Sequence, residues 1–246
     1  METEFTAGTF LVDKPEGSSS FYIVRKVRKA LGMKKVGHAG TLDPFATGLL
    51  VVCAGRPATK MISLIMDGEK EYLATLRLGR ETTTLDPEGE VTAENPVGSI
   101  SRDVVEACLQ QFRGEQLQVP PIYSALKHKG KPLYYYARKG IAIEKPPRSV
   151  TITTLERTDD GHEMNDASPY LTIRVVCSKG TYIRTLGADI GKVLGCGAYL
   201  TALRRVRSGC FHVRDSVEGK YLLEDDARRR LMEKVLSVAD VRNLLQ

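Results

Sequence analysis

Apolar and polar residues alternate along this chain with two different periods, which distinguish helices from strands. Between positions 20 and 31 the apolar residues recur every three or four positions, after serines that can cap a helix and before Gly32. The same period predicts further helices at 61–66, 101–112, 182–194 and 224–245. Alternation and short apolar runs predict strands at 9–12, 49–54, 72–78, 149–156 and 171–176.

The stretch from Gly37 to Gly48 is the most distinctive connection between these elements. It places His38 and Asp43 in a short loop that glycines free to take unusual backbone angles and that Pro44 stiffens. An acid followed by proline is also typical of a helix N-cap with proline at the first helical position. The stretch alone leaves both interpretations of Asp43 open, a structural cap and a functional acid.

Two further positions have chemical as well as structural interpretations. Tyr72 begins the predicted strand at 72–78, where an ordinary core tyrosine is the alternative. Tyr182 and Arg184 lie in the first turn of a predicted helix, where a cation opposes the helix dipole by a few tenths to about 1 kcal/mol. Arg184 therefore predicts an acid close by.

Composition restricts the class of protein. A chain of 246 residues with 42% hydrophobic content can bury a core as one large domain, or as one domain with an insertion. No apolar run approaches the ~18 residues of a membrane span, and the first ten residues contain acids where a signal peptide needs cations. These features predict a cytoplasmic protein.

The residues that hold metals and cofactors show none of the usual spacings. The five cysteines are widely spread without a Cys-x-x-Cys pair, which is typical of a reducing compartment, and the four histidines show no metal-ligand spacing. Neither a dinucleotide fingerprint nor a Walker loop is present in the sequence. We therefore expect no metal and no cofactor.

Positive charge is concentrated in one segment. Residues 113–148 contain eight lysines and arginines against two acids, which equals the net charge of +6 of the whole chain. Two prolines at 120–121 interrupt the regular pattern, so we expect an insertion of loop character. Tyrosines among the cations favour contact with RNA, and the alternative is a solvated loop with its tyrosines packed beneath it. A second cluster, residues 203–207, is either a solvated face or an RNA contact.

Five separated blocks of the sequence resemble bacterial tRNA pseudouridine synthases of the TruB type, which isomerise uridine 55 in the T-arm. The blocks are DKPEGSSS at 13–20, GHAGTLDPFATGLL at 37–50, LGRET at 78–82 with Asp86, residues 120–138, and residues 178–185 continuing to 195–205. They follow the order of the family and together span nearly all of 9–207, with unmatched segments between them.

The resemblance implies a fold and a partner. The fold is the α+β pseudouridine synthase fold, a mixed and largely antiparallel sheet with flanking helices and a central RNA-binding cleft. It further implies a single catalytic domain over 1–246, with 113–148 as a thumb insertion and without the C-terminal PUA domain of many members. The implied partner is tRNA through its T-arm, bound by a monomer without membrane or metal.

The matching positions imply roles for individual residues. Asp43 matches the nucleophile, Tyr72 the ring beside the target base, and Arg184 the ion-pair partner of the aspartate. The other implied substrate contacts are His38 at the displaced bases, Tyr182 and Leu203 in the uridine pocket, Lys60 in a basic pocket, and Lys127 in the thumb. Phe21 stands where the family pattern leads us to expect a polar residue.

The chemistry of pseudouridine formation agrees with these residues. The reaction breaks a C–N glycosidic bond and makes a C–C bond, so it requires neither a redox group nor a metal. Arg184 beside Asp43 would hold that carboxylate ionised below its reference pKa of about 3.9. Attack at uracil C6 and chemistry at the ribose both remain open, as does Tyr72 as the base that removes the C5 proton. An RNA-binding or RNA-folding factor that acts without turnover is the alternative function.

Overall fold

The computed structural model describes residues 5–246. The strands are β1 (Gly8–Lys14), β2 (Val36–Ala39), β3 (Thr47–Ala54), β4 (Lys70–Leu78), β5 (Arg80–Thr82), β6 (Val91–Glu94), β7 (Gly114–Gln118), β8 (Lys127–His128), β9 (Lys131–Pro132), β10 (Arg148–Arg157), β11 (Tyr170–Cys177), β12 (Ala198–Ser208), β13 (Phe211–His212) and β14 (Val217–Glu218). The helices are α1 (Ser20–Leu31), α2 (Arg56–Thr59), α3 (Ile62–Asp67), α4 (Arg102–Gln111), α5 (Leu133–Ala137), α6 (Ile183–Val193), α7 (Ala227–Glu233) and α8 (Val238–Leu244).

The chain divides into two compact units, which are described separately. Among the described residues the first unit comprises 5–72 and 204–246, and the second comprises 73–203. The chain passes from one unit to the other within β4 and within β12.

In the first unit, β3 is the central strand, and its apolar side chains are covered on both faces of the sheet. It pairs antiparallel with β1 and β2, and β12 joins it in parallel at Thr47 and Gly48. Leu50 and Val52 pack in the cluster that includes α1, whereas Leu49 and Val51 pack in the cluster that includes residues of α3 and α8. A strand buried on both faces has a continuous apolar sequence, as predicted for 49–54.

Helix α1 matches its prediction at both ends. The Ser19 side chain accepts a hydrogen bond from the Tyr22 amide and caps the first turn, and Gly32 ends the helix with a φ of 65°. Its buried stripe includes Ile23 and Val27. The predicted helical period therefore corresponds to the face that packs on the sheet.

In the second unit, β10 pairs antiparallel with β11 on one side and with β7 on the other. Residues 73–78 of β4 lie beside β11, followed by residues 198–203 of β12. The connection at 79–95 contains the antiparallel pair β5 and β6. With β1–β14 and β3–β12 as parallel pairs among mostly antiparallel ones, the strand pairing is mixed and largely antiparallel, as predicted.

Three predicted elements differ from the structure. The predicted helix 224–245 is two helices, because the Leu236 backbone instead bonds the Thr9 backbone in both directions (2.8 and 2.9 Å). The predicted core helix at 61–66 buries Ile65, whereas Leu64 and Met66 are exposed. The insertion 113–148 contains strands β7 to β9 and helix α5 rather than loop alone, because Leu133 and Ala137 find buried positions. Within residues 5–246 no helix is long and apolar enough to cross a membrane.

Candidate active site

The loop that carries Asp43 connects β2 directly to β3. Strand β3 already begins at Thr47, and residues 44–45 form a bend rather than the start of a helix. The amide of Ala46 donates to the Asp43 carbonyl at 3.1 Å and closes a tight turn. The interpretation of Asp43 as a helix N-cap is therefore wrong, because no helix begins there.

Ser20 anchors the chain immediately before Asp43. Its hydroxyl donates to the Leu42 carbonyl at 2.9 Å and accepts from the Leu42 amide at 2.8 Å. Both residues are buried, so neither bond competes with solvent. The first residue of α1 thereby fixes the backbone on the N-terminal side of Asp43.

Lys14 anchors the chain immediately after Asp43. Its ammonium group is buried and donates to the carbonyls of Pro15, Ser18 and Pro44 at 3.0, 2.6 and 3.1 Å. The Gly17 amide also donates to the Pro44 carbonyl, at 2.9 Å. The block at 13–20 was recognised in the sequence, but the structural role of this lysine was not predicted.

Arg205 corrects the interpretation of residues 203–207 as a solvated face or an RNA contact. It is 2% exposed, and its guanidinium donates to the carbonyls of Leu49 at 2.8 Å and Gly40 at 2.9 Å. A side chain at Gly48 (φ 99°) would lie 2.3 Å from the Arg205 carbonyl oxygen, so glycine is required there. Arg205 is therefore a brace for both ends of the Asp43 loop.

The neighbouring arginines of β12 are also engaged within the first unit. Arg204 forms a bidentate pair with Asp13 at 3.0 and 2.7 Å. Arg207 donates to the Glu71 carboxylate at 3.1 Å. The basic run therefore arises from three separate structural contacts rather than from one exposed surface.

His38 lies in β2, close to the start of the same loop. Its Nε2 is 3.0 Å from the Thr41 hydroxyl oxygen. Burial, and then the positive charge of Arg205, lowers the pKa of His38 from its ordinary value. Both effects favour the neutral form of the imidazole.

The other predicted residues of the first unit are not equally exposed. Tyr72 is 9% exposed on the inward-facing side of β4, a position that fits either a core tyrosine or a pocket wall. Lys60 follows α2, is exposed, and lines a basic pocket with Arg28 and Arg56. The first unit thus contains Asp43, His38, Tyr72 and Lys60 among the predicted site residues.

In the second unit Arg184 is held by several groups at once. It is 3% exposed, and its Nη1 lies 3.1 Å from Oδ2 of Asp86 and donates to the Thr84 carbonyl at 2.7 Å. Its Nη2 donates to the Tyr123 carbonyl at 2.7 Å. An acid therefore does lie beside Arg184, as its position in the sequence predicted. That acid, Asp86, was not predicted as its partner. The predicted pairing of Arg184 with Asp43 stays a prediction.

Asp86 is itself held in place by its own turn. Its Oδ1 accepts from the Thr84 hydroxyl at 2.5 Å and from the Glu88 amide at 3.0 Å. Asp86 belongs to one of the sequence blocks that match the family. The cation Arg184 at the start of α6 was the signal that could have identified Asp86 as its partner.

Tyr182 is the N-cap residue of α6, but its own side chain makes no capping bond. Gln118, which is buried, instead holds its backbone in both directions. The Tyr182 amide donates to Gln118 Oε1 at 2.7 Å, and Gln118 Nε2 donates to the Tyr182 carbonyl at 3.1 Å. Leu203, the other predicted pocket residue of this unit, is 7% exposed. Gln118 was not predicted from the sequence.

The thumb brings cations onto the faces of its tyrosines. Lys127 is exposed in the hairpin of β8 and β9. Tyr134 is 41% exposed and does not pack beneath the loop, whereas Tyr123, Tyr135 and Tyr136 are half-buried. Tyr135 lies beneath the ammonium groups of Lys131 and Lys139, and hydrogen bonds with Lys139 and then Lys131 lower its pKa to about 8.

One cluster of potential metal ligands lies elsewhere in the second unit. The ligand atoms of Asp159, Asp160 and His162 lie within 4.8 Å of one another. Arg157 forms an ion pair with Asp159, and His162 Nε2 is 2.7 Å from the Ser168 hydroxyl. These contacts account for the cluster as a charge-paired loop.

Comparison with known proteins places the chain in a family. A family model described as "TruB family pseudouridylate synthase (N terminal domain)" matches residues 28–183, and one described as "tRNA pseudouridylate synthase B C-terminal domain" matches 184–241. A "tRNA pseudouridine synthase B" of Desulfotalea psychrophila is 63% identical over 100% of this chain and 99% of its own length.

More distant relatives are longer than this chain. A "tRNA pseudouridine synthase B" of Chromobacterium violaceum is 53% identical over 85% of the chain, which covers 66% of that protein. A chain in the structure titled "Crystal Structure of a Cbf5-Nop10-Gar1 Complex" matches with a TM-score of 0.70 and 26% sequence identity. The match covers 96% of the present chain and 62% of that chain. Together with the family models, these similarities show that the chain belongs to the TruB family of pseudouridylate synthases.

Proposed function

We propose that this protein isomerises uridine to pseudouridine at position 55 in the T-loop of tRNA, without a cofactor and with Asp43 as the nucleophile. The observation that carries the proposal is the Asp43 loop, which is tied down immediately before and after the aspartate by Ser20 and Lys14. The 63% identity to a full-length tRNA pseudouridine synthase B supports the substrate.

The fixed loop is what a nucleophilic carboxylate requires. A nucleophile that is already held in position loses little entropy when the transition state forms. This can lower the activation free energy by several kcal/mol. An ionised Asp43 could attack uracil C6 or act at the ribose. Either route conserves the atoms of the uridine, since one C–N bond breaks and one C–C bond forms.

The remaining site residues would position the flipped nucleotide. In this proposal Arg184 keeps Asp43 ionised, and Tyr72, Tyr182 and Leu203 surround the uracil. Extruding a base costs a few kcal/mol, which contacts to the displaced bases must offset. Because its pKa is lowered, His38 would meet those bases as a neutral ring that stacks and hydrogen-bonds rather than as a cation.

The thumb and its partner complete the proposal. The cations of residues 113–148, among them Lys127, are suited to the phosphates of the T-arm, and the exposed ring of Tyr134 is suited to an unstacked base. We propose that the protein acts as a monomeric single catalytic domain on tRNA, and a tRNA substrate would place it in the cytoplasm.

The test compares wild type with Asp43→Asn on an unmodified tRNA transcript. Pseudouridine is detected as a carbodiimide-dependent stop in primer extension. Wild type should give the stop at position 55, and Asp43→Asn should lower turnover by at least about 10³-fold because the nucleophile is lost. Binding of tRNA should survive, since an amide keeps the shape of the side chain.

The same experiment separates the two candidate classes. If wild type binds the transcript yet leaves position 55 unmodified, the protein is a binding or folding factor and catalysis is excluded. If Asp43→Asn turns over as fast as wild type, Asp43 is not the nucleophile.

A further inference from the structure

A basic pocket lies on the surface of the first unit, formed by the end of α1, the segment before β2, and α2. Its volume is about 420 Å³, within the range of ligand pockets. Five of its lining residues are cations, namely Arg28, Lys34, Lys35, Arg56 and Lys60. Five cationic side chains around one concavity indicate an anionic ligand.

Among residues 5–246 no carboxylate compensates the charge of this pocket. No acid lines the pocket, and none of its five cations forms an ion pair within residues 5–246. Arg204, Arg207 and Arg230, by contrast, all have carboxylate partners. Five like charges gathered in one concavity attract and concentrate anions.

Arg28 gives the pocket a donor that is already positioned. Its Nη2 donates to the Val36 carbonyl at 2.8 Å, and its guanidinium lies 5.7 Å from the centre of the Phe21 ring. Its Nε is buried and has no hydrogen-bond partner. Because Nε is closed off from solvent, the other nitrogens of the guanidinium are left to meet a ligand, and this group is suited to phosphate oxygens.

The position of the pocket on the chain indicates which anion it serves. Gly37 lines the pocket, and His38 is the next residue of β2, about 3.8 Å away along the backbone. An RNA strand whose bases reach His38 would therefore bring its backbone past the pocket. Lysines on flexible stems are suited to the successive phosphates of a strand.

We propose that this basic pocket binds a phosphate group of the RNA backbone outside the uridine site, with Arg28 as its fixed donor and Lys34 and Lys35 as its main charges. The proposal rests on the proposed function in taking tRNA as the ligand and His38 as a contact of its bases. It also gives Phe21 a role, because the ring carries the Arg28 guanidinium on its face.

The test removes two pocket charges and compares the result with removal of two charges elsewhere on the same unit. The pocket variant is Lys34→Gln with Lys35→Gln, both exposed. The control is Arg214→Gln with Lys220→Gln, two cations paired with Asp215 and Glu218 outside the pocket. Both variants lose the same net charge, so any difference between them reflects position.

The measurements are tRNA affinity between 50 and 200 mM NaCl and pseudouridine formation at saturating tRNA. In the pocket variant the slope of log Kobs against log[NaCl] should become less steep by about 1.4–1.8, with at least about tenfold weaker binding at 100 mM. Turnover at saturation should stay within about twofold of wild type, and the control should keep the wild-type slope.

The outcomes separate this proposal from the proposed function. Equal slopes for wild type, pocket variant and control would overturn the pocket, whatever the activity. Absence of pseudouridine with wild type would instead overturn the proposed function, while the slope comparison would still report on the pocket.

Inorganic pyrophosphate tests whether a small free anion is the true ligand. Calorimetric binding of pyrophosphate that is lost in the pocket variant, together with an unchanged tRNA slope, would overturn the assignment to RNA. Arg28→Lys keeps the charge but lacks the guanidinium donors, so it should weaken tRNA binding by several-fold and retain most of the salt slope. Wild-type affinity in this variant would remove Arg28 from its role as the fixed donor.

Discussion

The two units hold their candidate catalytic groups by opposite means. In the first unit, buried cations hold the Asp43 loop through neutral backbone oxygens: Lys14 bonds three carbonyls and Arg205 bonds two. In the second unit, the cation itself is the candidate group, and the carboxylate of Asp86 holds it. Removing one partner should therefore have different consequences in the two units, because only in the second does a buried cation lose a carboxylate partner.

The largest effect on stability is expected at Asp86. Asp86→Asn should lower the free energy of unfolding by about 3–5 kcal/mol, because the Arg184–Asp86 side chains are only 4% and 3% exposed and the buried cation would lose a carboxylate partner. Urea unfolding followed by circular dichroism measures the change.

An exposed pair in the same unit provides the control. Arg80 and Glu94 are 2.9 Å apart with side chains 34% and 59% exposed, so Glu94→Gln should cost no more than about 1 kcal/mol. If the two substitutions cost the same, Asp86 does not hold Arg184 as a buried ion pair.

The first unit should show a smaller loss of stability together with a loss of activity. Ser20→Ala should cost about 1–3 kcal/mol, because the buried Leu42 amide and carbonyl both lose their partner. It should also lower kcat, since Leu42 precedes Asp43. Urea unfolding and the primer-extension assay measure the two effects.

The preceding serine is the matched control for this loop. Ser19 caps α1 through the Tyr22 amide, so Ser19→Ala should cost about 1 kcal/mol and leave kcat unchanged. Equal kcat in both variants would mean that the Ser20 anchor does not position Asp43.

The thumb should affect binding rather than stability. Lys127→Gln, Lys129→Gln and Lys131→Gln together should reduce the salt slope of tRNA binding by about 2, because all three lysines are exposed and available to phosphates. Thermal unfolding should be unchanged. Glutamine at Arg214, Lys220 and Arg229, three ion-paired cations of the first unit, is the matched control. A wild-type slope in the thumb variant would contradict its contact with RNA.

The smallest effect is expected from the protonation of His38. Its pKa is lowered in the folded state, so the neutral ring contributes stability that is fully present above about pH 6.5 and is lost as the pH falls toward the folded-state pKa. His38→Gln should therefore lose less stability than wild type between pH 7 and pH 5, as measured by urea midpoints. Parallel pH profiles would show that burial does not disfavour the imidazolium.

Local pattern was sufficient to predict many elements of this fold. The period of the apolar residues predicted α1 with both of its ends, and the strands β3, β4, β10 and β11. The prediction works because the buried face of a helix or a strand requires apolar residues at the period of that element. The separated motif blocks indicated the family and made Asp43 the candidate nucleophile, although they did not test it.

Local pattern failed wherever one element is determined by another that is distant in sequence. The predicted helix 224–245 is broken because the Leu236 backbone pairs with Thr9. The basic run in β12 looked solvated, yet Arg205 is buried against carbonyls of residues more than 150 positions earlier. Composition alone cannot indicate whether a cation meets solvent or a carbonyl.

The sequence by itself determined the periodic elements, the family and the residue types of the candidate site. Tertiary structure alone decided that Asp43 caps no helix, that Lys14, Ser20 and Arg205 fix its loop, and that Asp86 accompanies Arg184. The physical reason is that periodicity records how each element is buried. The partner of a polar group depends on which distant elements the fold brings together.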